Sequence, residues 1–139
     1  MSPADTPFPA RPRSLAEVAA RAVHTGDYTS AMKEFVDTLI AAAPALPESA
    51  YAERPPLPES PVLRAHLGGM AEHLAALAGR PAPDWCLEPV FFLDAPHVMA
   101  GAHAGAIMRA QTPPAFARRN LFCGPVLLKL DAVTGRRDG

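Results

Sequence analysis

The chain has 139 residues, 49% of them hydrophobic but only 6% aromatic, with 17 prolines and a formal net charge of −1. That length suits a single domain with a real core, the alanine-heavy apolar content favours helix, and so many prolines predict short elements with frequent breaks. A near-neutral balance removes any global attraction to nucleic acid or an anionic membrane, although residues 112–139 carry +3 against −4 for the remainder.

The segment 1–13 holds Pro3, Pro7, Pro9 and Pro12 with little to bury, and reads as a flexible lead-in. Ser14 followed by Glu17 is a capping-box pattern, and Leu15, Val18, Ala19 and Ala22 share one face, which predicts a helix over 14–25 ended by Gly26. Asp27 is placed to cap a second helix whose apolar positions Tyr28, Met32, Phe35, Val36, Leu39, Ile40 and Ala43 recur at three- and four-residue steps until Pro44. The tight connection between the two predicts a helical hairpin over 14–43.

A proline-rich linker over 44–60 contains Leu-Pro-Glu-Ser twice, at 46–49 and 57–60. Two copies do not make a repeat architecture, and Ser49 and Ser60 are each placed to cap a helical turn, with Pro61 at a first helical position. From 61 to 78 the stripe Leu63, Leu67, Met70, Leu74 and Leu77 predicts a third helix capped by Gly79.

Beyond Pro81 and Pro83 the chain turns irregular, and Trp85, Phe91 and Phe92 are the rings expected to fill the core or meet a partner. Asp94 could cap a fourth helix from about Pro96 to Gln111, weakened by Gly101 and Gly105. Thr112 with Pro113 repeats the cap-then-proline start and predicts one helical turn that buries Phe116 and Phe122 and turns Arg118 and Arg119 outward. A short extended piece at 121–123 and a last helix or strand over 125–133 complete a domain spanning 14–135, with 136–139 as a flexible tail. The expected fold class is mainly α, a small irregular multi-helix domain with proline-rich connections and little or no sheet.

Chemistry-bearing residues are sparse. His66, Met70 and His73 fall on one face of the third helix, but HExxH is absent and spacing supplies no third histidine, so no metal is assigned and His66 and His73 stay weak candidates. His97 and His103 fall on different sides of the fourth helical segment, and the carboxylates are scattered with no acid/base pair marked. Cys86 and Cys123 lack CxxC spacing and read as buried, reduced thiols; the absence of a secretory pattern and of an apolar run near roughly 20 residues points to a cytoplasmic protein without membrane spans. No glycine-rich phosphate loop stands between a strand and a helix, and no cofactor is expected. Arg118, Arg119 and Asn120, set between Phe116 and Phe122, could grip an anion or a partner carboxylate from a turn; a solvated turn is the competing reading.

Pro83-Asp84-Trp85, then Phe92-Leu93-Asp94-Ala95-Pro96, then Thr112-Pro-Pro-Ala-Phe-Ala-Arg-Arg-Asn-Leu-Phe122 resembles a group of uncharacterised small bacterial proteins. Their C-terminal module reads Pro-x-Trp, Phe-Leu-Asp and Ser/Thr-Pro-x-Ala-Phe-x-Arg-Arg-Asn-Ile/Leu-Phe, in some cases appended to a helix-turn-helix and encoded near nucleotidyltransferase-like proteins. The likeness covers about 40 residues, from Pro83 to Phe122. It implies a toxin–antitoxin-type module, with a protein partner encoded nearby. Two departures stand out: no helix-turn-helix with a basic recognition helix precedes Pro83, and Ala117 stands where a third arginine is often found. The leading expectation is therefore a non-enzymatic partner protein, of an antitoxin-like kind that neutralises its partner. The alternatives are a nucleic-acid-binding regulator using Arg118, Arg119, Lys129, Arg136 and Arg137, and a small metal-dependent or thiol enzyme using His66, His73 or Cys86.

Overall fold

Ser14 begins the first helix: its Oγ accepts from Glu17 N at 3.1 Å, and α1 runs Leu15–Thr25 in a computed structural model that describes residues 11–98 and 112–123. The reciprocal arm of the capping box reaches one residue further than expected, since Glu17 accepts from Arg13 N rather than from Ser14 N. Pro12, within the segment read as a flexible lead-in, is buried. Gly26 takes the left-handed conformation that ends α1, and its N–H donates to Ala22 O. One residue later Asp27 accepts from Ser30 N and caps α2, Tyr28–Ala41. The two helices pack face to face through Leu15, Val18, Ala19, Met32, Phe35 and Leu39, and the Arg21–Glu34 ion pair at 2.7 Å bridges them. The hairpin read from the sequence is present.

The proline-rich linker 44–60 contributes residues to the core. Leu46, Ala50, Tyr51, Pro55 and Pro58 are buried, and a single 3-10 turn, Glu48–Ala50, interrupts it. Ser49 lies inside that turn rather than capping it, because Pro47 occupies the preceding position and offers no side-chain acceptor. Ser60 does cap, accepting from Leu63 N at 3.3 Å, and Pro61 opens α3, Pro61–Leu77, where its missing N–H leaves no bond unmade. Gly79 at positive φ closes α3 with Arg80 N to Ala75 O and Gly79 N to Ala76 O, the paired bonds of a Schellman turn.

The sequence predicts α3 as an amphipathic helix with one apolar stripe. In the fold it is the central element, buried without interruption from Ala65 to Ala71, and the later part of the chain packs around it. Two adjacent glycines make this close packing geometrically possible. A Cβ at Gly68 would sit 2.9 Å from Phe91 Cβ and 2.9 Å from Arg119 Nε, and one at Gly69 would overlap the Phe116 ring.

After α3, two 3-10 turns, Asp84–Leu87 and Pro89–Phe91, set Trp85, Cys86 and Phe91 into the core. Trp85 Nε1 donates to Tyr51 O at 3.0 Å, and its ring meets Phe91 edge-on with centroids 5.0 Å apart. The chain then runs extended through β1, His97–Val98, so no helix starts at Pro96; the rest of the expected fourth helix lies outside the described residues. A four-residue helix, α4, Pro114–Ala117, follows, with Pro113 at the position before it and Thr112 buried. The extended piece expected near 121 is β2, Leu121–Phe122, which pairs in parallel with β1 in the register His97 to Leu121 and Val98 to Phe122. The protein is mainly helical, with a two-stranded parallel sheet as its β-structure among the described residues. The expected element over 125–133 and the terminal segments 1–10 and 124–139 fall outside them.

Candidate functional site

Arg118, Arg119 and Asn120 occupy the turn between α4 and β2, and each does something different. Arg119 points inward and is fully buried, which overturns its expected outward orientation. Its Nη1 donates to Glu72 on α3 and to Ala115 O at 2.8 Å, and Nη2 donates to Cys86 O at 2.6 Å. The Phe92 ring lies under the guanidinium, 4.5 Å from centroid to Cζ, while Nε is buried with no hydrogen-bond partner against the bare Gly68 backbone. Arg118 stays on the surface, with its side chain 55% exposed, and reaches Glu72 Oε2 at 2.7 Å. One carboxylate thus holds both arginines.

Asn120 adopts φ 64°, a left-handed conformation that asparagine tolerates better than most residues. This turn lets its Nδ2 donate to Leu93 O at 2.9 Å and its own carbonyl accept from His97 N at 2.8 Å, while Leu93 N donates to Arg119 O. The Arg-Arg-Asn segment is a clasp: Arg119 ties the 3-10 turns to α3, and Asn120 ties the strand pair to α4. Arg119 is not an exposed fork for an anion, since it is fully buried and its Nη1 and Nη2 are directed at Glu72 and two core carbonyls.

The aromatic candidates separate by depth. Trp85, Phe91 and Phe116 are core residues. Phe92 is partly buried beneath Arg119, and Phe122, expected to be buried, is likewise only partly so on the two-stranded pair.

His66 and His73 flank Phe116 on α3, with ring centroids 5.4 and 6.1 Å from it. His66 is buried and its Nδ1 lies 2.7 Å from the Tyr28 hydroxyl, so α2 supplies the partner. Burial lowers the His66 imidazole to about 4 and raises the Tyr28 phenol well above its usual range, which makes the pair a neutral hydrogen bond at ordinary pH. No cluster of three or more His, Cys, Asp or Glu placed to hold a metal occurs among the described residues. Both cysteines are free and buried. Burial pushes the Cys86 thiol up, with Arg119 opposing, and pushes Cys123 to about 11; neither has the lowered value of an activated nucleophile. His97 is exposed on β1, and His103 lies outside the described residues.

Sequence reading missed Glu72 as the counter-ion of both arginines, and Tyr28 as the partner of His66. Glu72 did leave a signal: it is a carboxylate adjoining a run of α3 residues that are otherwise buried and mostly apolar, a setting that calls for a cation. Nothing in the sequence says that the cation comes from 47 residues further along.

These features define a small mainly helical domain whose most distinctive motif is built into its interior. No protein family, characterised protein or solved structure matches this chain. Among the described residues, no helix is long and apolar enough to cross a membrane.

Proposed function

We propose that this chain is a non-catalytic protein-binding module of an antitoxin-like kind, working in the cytoplasm on a partner encoded nearby. The observation that carries the reading is the use of Arg119. In the motif that resembles the bacterial group, the residue best suited to electrophilic or anion chemistry is fully buried and committed to Glu72, Cys86 O and Ala115 O. The buried His66 beside Phe116 is held neutral against Tyr28, and both thiols are raised by burial. The motif therefore serves a defined shape, and shape without an activated side chain suits recognition.

The test is co-expression of the full chain with the products of the genes flanking its own. A stable stoichiometric complex on size-exclusion chromatography, together with relief of any growth defect that the partner causes, is the expected result. Elution of each protein alone, with growth indifferent to either gene, overturns the reading.

A further inference from the structure

Two segments remote in sequence are fastened side by side on the surface. Arg54 chelates Glu88 through Nε and Nη2, at 2.8 to 3.2 Å, and its guanidinium lies 5.7 Å from the centroid of the Phe91 ring. Arg64 on α3 donates to Pro58 O and Glu59 O on one segment and to Val90 O on the other. The strap 53–59 is thereby held against the turns at 84–91. Within the strap, Pro55 and Pro58 face inward while Pro56 and Leu57 are exposed, the alternation expected of extended proline-rich backbone with three residues per turn.

Three large apolar side chains are exposed among the described residues, and two of them, Leu57 at 41% and Leu87 at 54%, fall on these adjoining segments. Glu53 and Glu59 lie within four residues of Leu57 and Asp84 three residues before Leu87; all three are exposed and enter no ion pair among the described residues, while of the two arginines here Arg54 is neutralised by Glu88 and Arg64 is directed at backbone carbonyls. Exposed leucines on a backbone fixed by two arginines need little ordering when a partner arrives, and an acidic rim attracts a cationic partner while repelling acidic ones.

We infer that the paired segments 53–59 and 84–89 form the docking face of the module, and that their occupant is a basic partner segment that places apolar side chains on Leu57 and Leu87 and Lys or Arg opposite Glu53, Glu59 and Asp84. This inference rests on the protein-binding reading above and names the surface and the partner chemistry for it.

The experiment measures affinity between the full chain and the co-expressed flanking-gene product that forms the complex, using Leu57→Asp, Leu87→Asp and the triple reversal Glu53→Lys, Glu59→Lys, Asp84→Lys. Val23→Asp, an exposed apolar position on α1, is the control. Because all these side chains are exposed, circular dichroism melts should match the parent. Each leucine variant should weaken the complex by about tenfold or more, as should the triple reversal, and parental affinity should fall as salt is raised. Val23→Asp should bind as the parent does. A complex that forms but is indifferent to all three face variants overturns the inference and leaves the protein-binding reading intact. A parent chain that forms no complex overturns both.

Discussion

Removing Glu72 is the sharpest perturbation of the clasp. In Glu72→Ala the Arg119 guanidinium keeps Ala115 O and Cys86 O but loses its counter-ion while remaining fully buried. An uncompensated buried charge of this kind destabilises by about 3–5 kcal/mol, a large fraction of the roughly 5–15 kcal/mol available to a domain. Arg118 adds little, because its half-exposed guanidinium is rehydrated when the pair is lost. The assay is urea unfolding followed by fluorescence of Trp85, the chain's single tryptophan, whose buried indole reports on the same region. A loss near 3 kcal/mol corresponds to a melting point lower by about 10 °C in a domain of this size. The double variant Glu72→Leu with Arg119→Met removes both charges and should recover a substantial part of that loss, since the penalty in the single variant is the stranded charge rather than the absent bond. A loss under about 1 kcal/mol in Glu72→Ala, or a double variant as unstable as the two singles added together, refutes the buried clasp.

Three further outcomes follow from the packing and the titratable groups. Gly69→Ala should destabilise by about 1–3 kcal/mol, because overlap with the fully buried Phe116 ring exceeds the roughly 1 kcal/mol of helix propensity that alanine contributes; a chemical melt decides, and a more stable variant rejects the close packing. The His66 imidazole is lowered from 6.5 to about 4, so the unfolded chain binds the proton first. Stability from this group is complete above about pH 6.5, declines by about 2 kcal/mol on going to pH 5, and levels off below pH 4. Asp27 and Glu88 are held below their usual range and titrate lower still, so the slope of the urea midpoint between pH 7 and 5 should flatten in His66→Gln. Trp85→Phe leaves Tyr51 O without its indole donor inside the core and should cost about 1–3 kcal/mol by circular dichroism melts; an unchanged melting point shows that the carbonyl is satisfied another way.

Local chemistry determined much of this protein by itself. The caps at Ser14, Asp27 and Ser60, the glycine stops at Gly26 and Gly79, and the apolar spacing of the first three helices are interactions within a few residues, and they set those elements wherever the chain folds. The core positions of Trp85, Phe91 and Phe116 were legible for a similar reason, since large rings seek burial whatever covers them. Short-range pattern failed where a second element competes. Pro96 could open a helix but instead precedes a strand that pairs with residues more than 20 positions away.

The direction of Arg119 belongs to tertiary structure alone. Two adjacent arginines in a turn look alike in sequence, and each has a long side chain that water solvates well. What separates them is that α3 presents Glu72 to both, Gly68 clears a channel for one, and the carbonyls of Cys86 and Ala115 converge where that one ends. Those groups come from three separate stretches of chain, and their convergence exists only when α3, the 3-10 turns and α4 are packed together. Only then does the gain from ion pairing and hydrogen bonding exceed the cost of removing a guanidinium from water.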